Sequence, residues 1–329
     1  MGGRMPAHAP GLAELLGSVS VDQFLAQHWD RSPLLVRARD AGGSERFSSV
    51  LSFDTYDRLI AETGLRGPTF RVARDGRAVQ SDTWGIASLP WGTGAVRDFA
   101  RPERMFDLLR DGWTVVLENA DRTCASVAEV SRMLRQAFAA DCFVHTFLTP
   151  GGSRAFAPHY DVQNAFVLQC GGAKHWRVHG PHIQKPLRDE GCHYTGIEPG
   201  ELILDVRLEA GDLLYVPRGF VHSVAGVPDV PSLHVTFGVV PTTWHDVVQS
   251  VVRELRQASG GAGDQAIRLD TRAPVKLSET QEDWIDEQVE NTLLDIDLKG
   301  IFDQLVRRRA GPASVGPTLS SALDSGTSA

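Results

Sequence analysis

With 329 residues, of which 42% are hydrophobic, 22% charged and 8% aromatic, the chain has globular usage, which excludes collagenous, coiled-coil and disordered classes. Its 33 Lys and Arg against 41 Asp and Glu leave a formal charge of -8, which argues against direct nucleic-acid binding and against attraction to anionic lipid. Cys124, Cys142, Cys170 and Cys192 form no CxxC pair, the usage of reduced thiols in a cytoplasmic protein.

The opening MGGRMPAHAPGLAELLG holds one basic residue and no apolar core of signal-peptide length, and Pro6 breaks a myristoylation pattern. No apolar run reaches the ~18 residues of a membrane span, so no membrane segment is expected. In VDQFLAQHWDRSPLLVR, Val21, Phe24, Leu25 and Trp29 fall at helical spacing before Ser32-Pro33, predicting a short amphipathic helix and then an extended segment. Arg66, Arg71, Arg74, Arg77, Arg97, Arg101 and Arg104 stand against few acids. They read as a solvated face, with a basic patch for a charged partner as the alternative. Residues 1–110 are thus assigned to an N-terminal helical and irregular part flanking the core.

Residues 111–241 change character. Short apolar runs, TVVL (114–117), FVHTFL (143–148), AFVLQ (165–169), HWRV (175–178), ELILDV (201–206), LLYV (213–216) and LHVTFGV (233–239), alternate with turns such as Gly171-Gly172 and Pro217-Arg218-Gly219. That pattern predicts a β-sandwich or barrel. Beyond Val240 the period becomes helical. Trp244, Val247, Val248, Val251, Val252 and Leu255 form a stripe that Thr242 or Thr243 caps, set to pack on the barrel or on the same helix of a second subunit. After SGGAGD (259–264), Ser278 and Gln281 make a capping box for a second helix bearing Trp284, Ile285, Val289, Leu293 and Ile296. Residues 242–309 are read as this helical, dimerising region. Residues 310–329 are read as a disordered tail, being Gly, Pro, Ser, Thr and Ala with few bulky side chains.

Eight of the 11 histidines lie between His145 and His234. In His159-Tyr160-Asp161 the imidazole and carboxylate are two apart, and on an extended chain they project to one side, able to meet one ion. His222, in YVPRGFVHSV, is delivered onto a second strand by a Pro-Arg-Gly turn. Two histidines and one carboxylate fill three positions of an octahedron and leave three open, the facial triad of non-haem Fe(II) oxygenases, though Mn, Co, Ni or Zn also suit these ligand types. Lys174, on the strand after the Gly-Gly turn, is placed by a hairpin beside the triad to hold the far carboxylate of 2-oxoglutarate. A buried ammonium needs such an anion. Thr236 or Thr146 is expected to add a hydroxyl to that clamp. His145 and His234 read as supporting or core residues, and His175, His179, His182 and His193 as solvent-facing or structural. Cys192-His193 receives no metal assignment.

The segments FLAQHWDRSPLLVR, TPGGSRAFAPHYDVQNAFVLQCGGAKHWRV, AGDLLYVPRGFVHSV and SLHVTFGV resemble the cupin-type JmjC oxygenases called ribosomal oxygenases, from about Val21 to Ser259. The resemblance implies an α+β protein built on a double-stranded β-helix, the cupin/JmjC jelly roll, with an N-terminal helical preface and a C-terminal helical dimerisation region. It implies Fe(II) bound by His159, Asp161 and His222, and the 2-oxoglutarate C5 carboxylate bound by Lys174. The implied activity is hydroxylation of an amino-acid side chain, most directly in a ribosomal protein, by a homodimer. Two departures follow. Where relatives often carry Asn and Tyr, this chain has His145 and Phe147, and only 70 residues follow Ser259, so a C-terminal winged helix is expected to be shortened or absent. A peptide or free amino acid is the alternative substrate. A non-redox metal cupin isomerase and a non-catalytic dimeric binding module are the alternatives from other classes.

Overall fold

The computed structural model describes residues 10–62, 64–79, 84–91, 94–154, 156–191, 197–250 and 298–310, giving the backbone alone for 86–91, 94–98 and 298. The chain divides into two units between Pro241 and Thr242. The first opens with helices α1 (Leu12–Leu16) and α2 (Val21–Gln27), the latter capped by the Ser20 hydroxyl. Strand β1 (Leu34–Val36), helix α3 (Phe53–Glu62), strands β2 (Phe70–Arg74) and β3 (Arg77–Ala78), the β4 (Gly85–Trp91) and β5 (Gly94–Ala100) hairpin and helix α4 (Pro102–Arg110) follow. Next come β6 (Thr114–Glu118), α5 (Ala125–Phe138), β7 (Asp141–Thr149), β8 (Asn164–Pro181), β9 (Leu202–Glu209), β10 (Leu213–Val216), β11 (Phe220–Gly226) and β12 (Ser232–Val240).

All seven apolar runs fall in these strands, with only Glu201 one residue outside β9, and the α+β jelly roll expected from them is present. The larger sheet runs β1-β10-β8-β12-β7-β6-β2-β3, and β9 and β11 flank the second half of β8 to form the opposing layer. The N-terminal part is more than a helical flank. Strands β1, β2 and β3 extend the large sheet at both ends, β1 pairing with β10, β2 with β6 and β3 with β2.

Gly171-Gly172 does not form the expected hairpin. Strand β8 runs unbroken through it for 18 residues. Its first half pairs with β10 and β12 and its second half with β9 and β11. The glycines are a corner at which one strand changes sheets. Gly172 has φ +61, and a Cβ there would sit 1.7 Å from the Pro231 carbonyl oxygen, so only glycine allows that approach.

Strand alternation divides the apolar residues between two cores. Phe166, Leu168, Val235 and Phe237 face outward and pack with Phe24, Tyr56 and Leu134 of the helices. Ala165, Val167, Trp176, Val178, Val206 and Leu214 point between the layers. The preface is locked down by a polar network. Arg218, 8% exposed, donates Nε to Asp30 Oδ1 at 2.9 Å and Nη2 to Oδ2 at 3.1 Å. Asn164 donates to Asp30 at 2.9 Å, and the Tyr215 hydroxyl donates to Asn164 at 2.8 Å.

In the second unit, residues 244–250 are helical and helix α6 spans Leu298–Ala310. Thr243 caps the first of these, its hydroxyl accepting from Asp246 N–H while Asp246 accepts from Thr243 N–H at 2.8 Å. Arg309 donates to Asp246 at 2.9 Å. The rest of the Trp244-to-Leu255 stripe, the helix expected over 278–296 and the tail after Ala310 lie outside the described residues.

Replacing Gly172 by Ala forces a methyl group into the Pro231 carbonyl and strains a left-handed backbone. The expected cost is about 3 kcal/mol in chemical denaturation. Unchanged stability would show that the corner tolerates a side chain.

Candidate metal centre

Two separated stretches meet through their backbones. His159 N–H donates to the His222 carbonyl at 3.1 Å, and His222 N–H to the His159 carbonyl at 2.7 Å, an isolated antiparallel bridge that sets the two imidazoles side by side. Their ring centroids are 4.5 Å apart. The Pro217-Arg218-Gly219 turn fixes the approach, because Gly219 N–H donates to the Asp161 carbonyl at 2.8 Å. Gly219 has φ +84, and a Cβ there would lie 1.9 Å from the Ile183 carbonyl oxygen, so this turn also needs glycine.

One ligand atom from each of His159, Asp161 and His222 lies within 4.8 Å of the others. His159 Nδ1 is 2.8 Å from the Ala157 carbonyl and His222 Nδ1 is 3.2 Å from the Phe220 carbonyl. A carbonyl only accepts, so each Nδ1 carries a proton and Nε2 is the ring nitrogen suited to a metal, the arrangement of metal-binding histidines. His222 Nε2 stands 3.7 Å from Asp161 Oδ2. Burial, followed by neighbouring His159, pulls the His222 imidazole down to about 4 against the opposing effect of Asp161, so near neutral pH it is an uncharged donor.

A pocket opens over these groups, lined also by Phe147, Gln163, Lys174, Trp176, His234 and Thr236. Lys174 is 2% exposed, and burial pulls its ammonium down to about 7. Its Nζ donates to the Thr149 hydroxyl at 2.7 Å. Thr149 is thus the hydroxyl beside Lys174, a residue the sequence reading passed over in favour of Thr146 and Thr236. Thr236 does line the pocket. Thr146 does not, because β7 alternates. His145 and Phe147 face the pocket, whereas Thr146 is fully buried on the opposite face beside Tyr56.

His234 is also more than packing. It is 2% exposed, stacks on Phe147 with centroids 4.6 Å apart, and is held far below its ordinary protonation range by burial and then by Lys174. Its Nδ1 and the Trp176 Nε1 are buried without a hydrogen-bond partner, two polar atoms in one cavity that suit a polar ligand. His145 lies at the rim, its Nδ1 2.6 Å from Glu118 Oε2. His175 pairs instead with Asp205 on the outer surface, and Cys192 and His193 lie outside the described residues.

Residues 121–247 match the model of the JmjC domain. The chain carries a JmjC domain. Ribosomal oxygenase 1 of Gallus gallus is 33% identical over 241 residues, covering 72% of this chain and 38% of the relative. The bifunctional lysine-specific demethylase and histidyl-hydroxylase NO66 of Culex quinquefasciatus is 30% identical over 247 residues, covering 70% of this chain and 34% of that relative. The chain therefore spans little more than a third of the length of these relatives. Among solved structures, YcfD, a ribosomal oxygenase from Escherichia coli in complex with cobalt and succinic acid, aligns with TM-score 0.58 at 18% identity, over 92% of this chain and 74% of that one. The same protein in complex with cobalt and 2-oxoglutarate gives 0.56 at 17% over the same shares. At such identities the likeness establishes the cupin fold of this JmjC domain.

His222→Ala is expected to weaken binding of Co(II) or Mn(II), measured by calorimetry, by more than the ~10–100-fold typical of losing an outer partner of a metal ligand. Circular dichroism should stay that of a folded jelly roll. Undiminished metal affinity would place the third ligand elsewhere.

Proposed function

We propose that this chain is an Fe(II)- and 2-oxoglutarate-dependent dioxygenase that hydroxylates an amino-acid side chain of a protein, the relatives' names favouring a ribosomal protein. The observation that carries the reading is a buried lysine sharing one pocket with two imidazoles and a carboxylate. That donor set suits a divalent metal with open positions, and an ammonium at such depth is stable only with an anion to meet it. The unpartnered His234 and Trp176 nitrogens fit the same polar occupant.

In this reading His159, Asp161 and His222 hold the iron, which with dioxygen and the 2-oxo acid supplies the oxidising chemistry. Lys174 holds the distal carboxylate of 2-oxoglutarate, with Thr149 orienting the ammonium and Thr236 beside it. Val167, Trp176 and Val216 wall the pocket with apolar surface and exclude water from the reacting groups. The second unit supports a homodimer, since Trp244 is 78% and Val248 58% exposed on one short helical segment, apolar area that a second copy would cover. No described helix is long and apolar enough to cross a membrane, in keeping with a cytoplasmic site of action.

Fe(II), 2-oxoglutarate and oxygen should give succinate, faster with substrate, and a ribosomal extract should yield a protein gaining one oxygen by mass spectrometry. Metal binding without succinate would leave the non-redox alternatives. Lys174→Ala is expected to abolish measurable 2-oxoglutarate binding while retaining the metal.

The pH dependence has a definite sign. Below pH 7 Lys174 is an ammonium ready for the carboxylate, and above pH 7 the free protein holds a neutral amine that must take up a proton to bind it. The apparent Kd for 2-oxoglutarate should therefore rise above pH 7, by at most about tenfold per pH unit for one linked proton. A flat profile from pH 6 to 9 would remove Lys174 from the binding step.

A further inference from the structure

The pocket has a floor and a rim with different electrostatics. Lys174, Trp176, His222 and His234 at the floor are at most 4% exposed. Around the rim, the side chains of Arg71, His145 and Glu118 are 40%, 26% and 16% exposed, and Arg71 and His145 line the same cavity as the metal-binding cluster.

These three rim residues form one ordered unit. Glu118 is the last residue of β6, and both of its carboxylate oxygens are engaged: Oε1 accepts from Arg71 Nε, and Oε2 lies 2.6 Å from His145 Nδ1. Burial alone would raise this carboxyl group, but neighbouring His145 and Arg71 together hold it below the usual range. The Arg71 guanidinium also lies 5.2 Å from the Phe156 ring centroid, which fixes its plane.

The consequence is directional. With Nε engaged by Glu118, the guanidinium retains its Nη1 and Nη2 end, and among the described residues no other hydrogen bond to it is formed. Each Glu118 oxygen already faces a donor, so this unit offers a cationic substrate side chain a weaker acceptor than a free carboxylate would. A carboxylate, in contrast, matches the two parallel N–H groups left on Arg71.

We propose that Arg71, positioned by Glu118 and His145, is a specificity-determining residue that docks a carboxylate side chain of a peptide substrate at the pocket rim. The inference rests on the oxygenase reading for the reaction but concerns which polypeptide enters. The substrate class it names is an acidic peptide segment, with Asp or Glu close to the hydroxylated residue.

The test uses the full chain with Fe(II) and 2-oxoglutarate under argon, and fluorescence anisotropy of labelled decapeptides that differ only in one central Glu, Gln or Lys. The Glu peptides are expected to bind about tenfold more tightly than the Gln peptides, the share of one charge-assisted pair, and the Lys peptides most weakly. Arg71→Gln should reduce the Glu-over-Gln preference to near unity. Arg71→Glu should reverse the order in favour of Lys, and Arg71→Lys should preserve its sign. A merely structural Arg71 would shift all affinities together and leave these ratios alone. Equal binding of Glu and Gln peptides by the unmodified protein, or a preference that survives Arg71→Gln, would overturn the proposal. Admitting oxygen and measuring succinate then tests the reaction separately. Selective binding without succinate would count against the oxygenase reading, and succinate without charge selection against the rim assignment.

Discussion

Strand β8 passes from one sheet into the other without a break, and the site depends on that continuity. Its first half places Ala165 and Val167 on the inner wall, and its second half places Lys174 and Trp176 on the same cavity. A hairpin at Gly171-Gly172 would have reversed the chain and put the second half beside the first in a single sheet. The corner sends it across the barrel, where β9 and β11 pair with it. Strand β11 carries His222 against Val178, so the strand that delivers the lysine also fixes the third member of the metal cluster.

Two further constraints act on the same place. The reciprocal backbone bonds between His159 and His222 make the meeting of the imidazoles a matter of main-chain pairing, which side-chain rotation cannot undo. The Asp30-Arg218 pair ties the N-terminal preface to the turn that leads into β11. A buried pair of this kind adds little net stability, because desolvation offsets attraction, but it selects one arrangement sharply since either partner alone would be a buried charge. Its location therefore argues for precision at the metal cluster more than for stability.

The metal cluster was legible in the sequence because it depends on local rules. Residues two apart on an extended chain share a side, which is true of His159 and Asp161, and the turn before His222 is written in Pro217-Arg218-Gly219. The surroundings of Lys174 were only half legible. Thr236 reaches the pocket by the alternation of β12, but applying the same period-two rule from Phe147 along β7 selects Thr149, the hydroxyl bonded to Lys174, and rejects Thr146. The extended segment after Pro33 is β1, but β2 and β3 were missed because they are short and rich in arginine, and their strand character comes from the pairing of β2 with β6, a partner distant in sequence. The Gly-Gly corner was misread for a related reason. Two glycines permit either a reversal or a close crossing, and only the Pro231 carbonyl packed against Gly172 decides between them.

Floor and rim lie on different strands. The floor belongs to β8, β11 and β12, whose inward residues are nearly all buried, so changes there disturb packing, the lysine and the metal cluster together. The rim belongs to β2, β6 and β7, where Arg71, Glu118 and His145 are partly exposed and can be exchanged without altering the inner layer. Charge separates the two regions as well. The floor presents the Lys174 side chain deep in low dielectric, while the rim presents a guanidinium whose field is weakened by Glu118 and by solvent. A small anion that reaches the floor thus gains more than one that stops at the rim. A polypeptide too large to enter can engage only the outer group, so two acidic ligands can share one pocket without competing for the same cation.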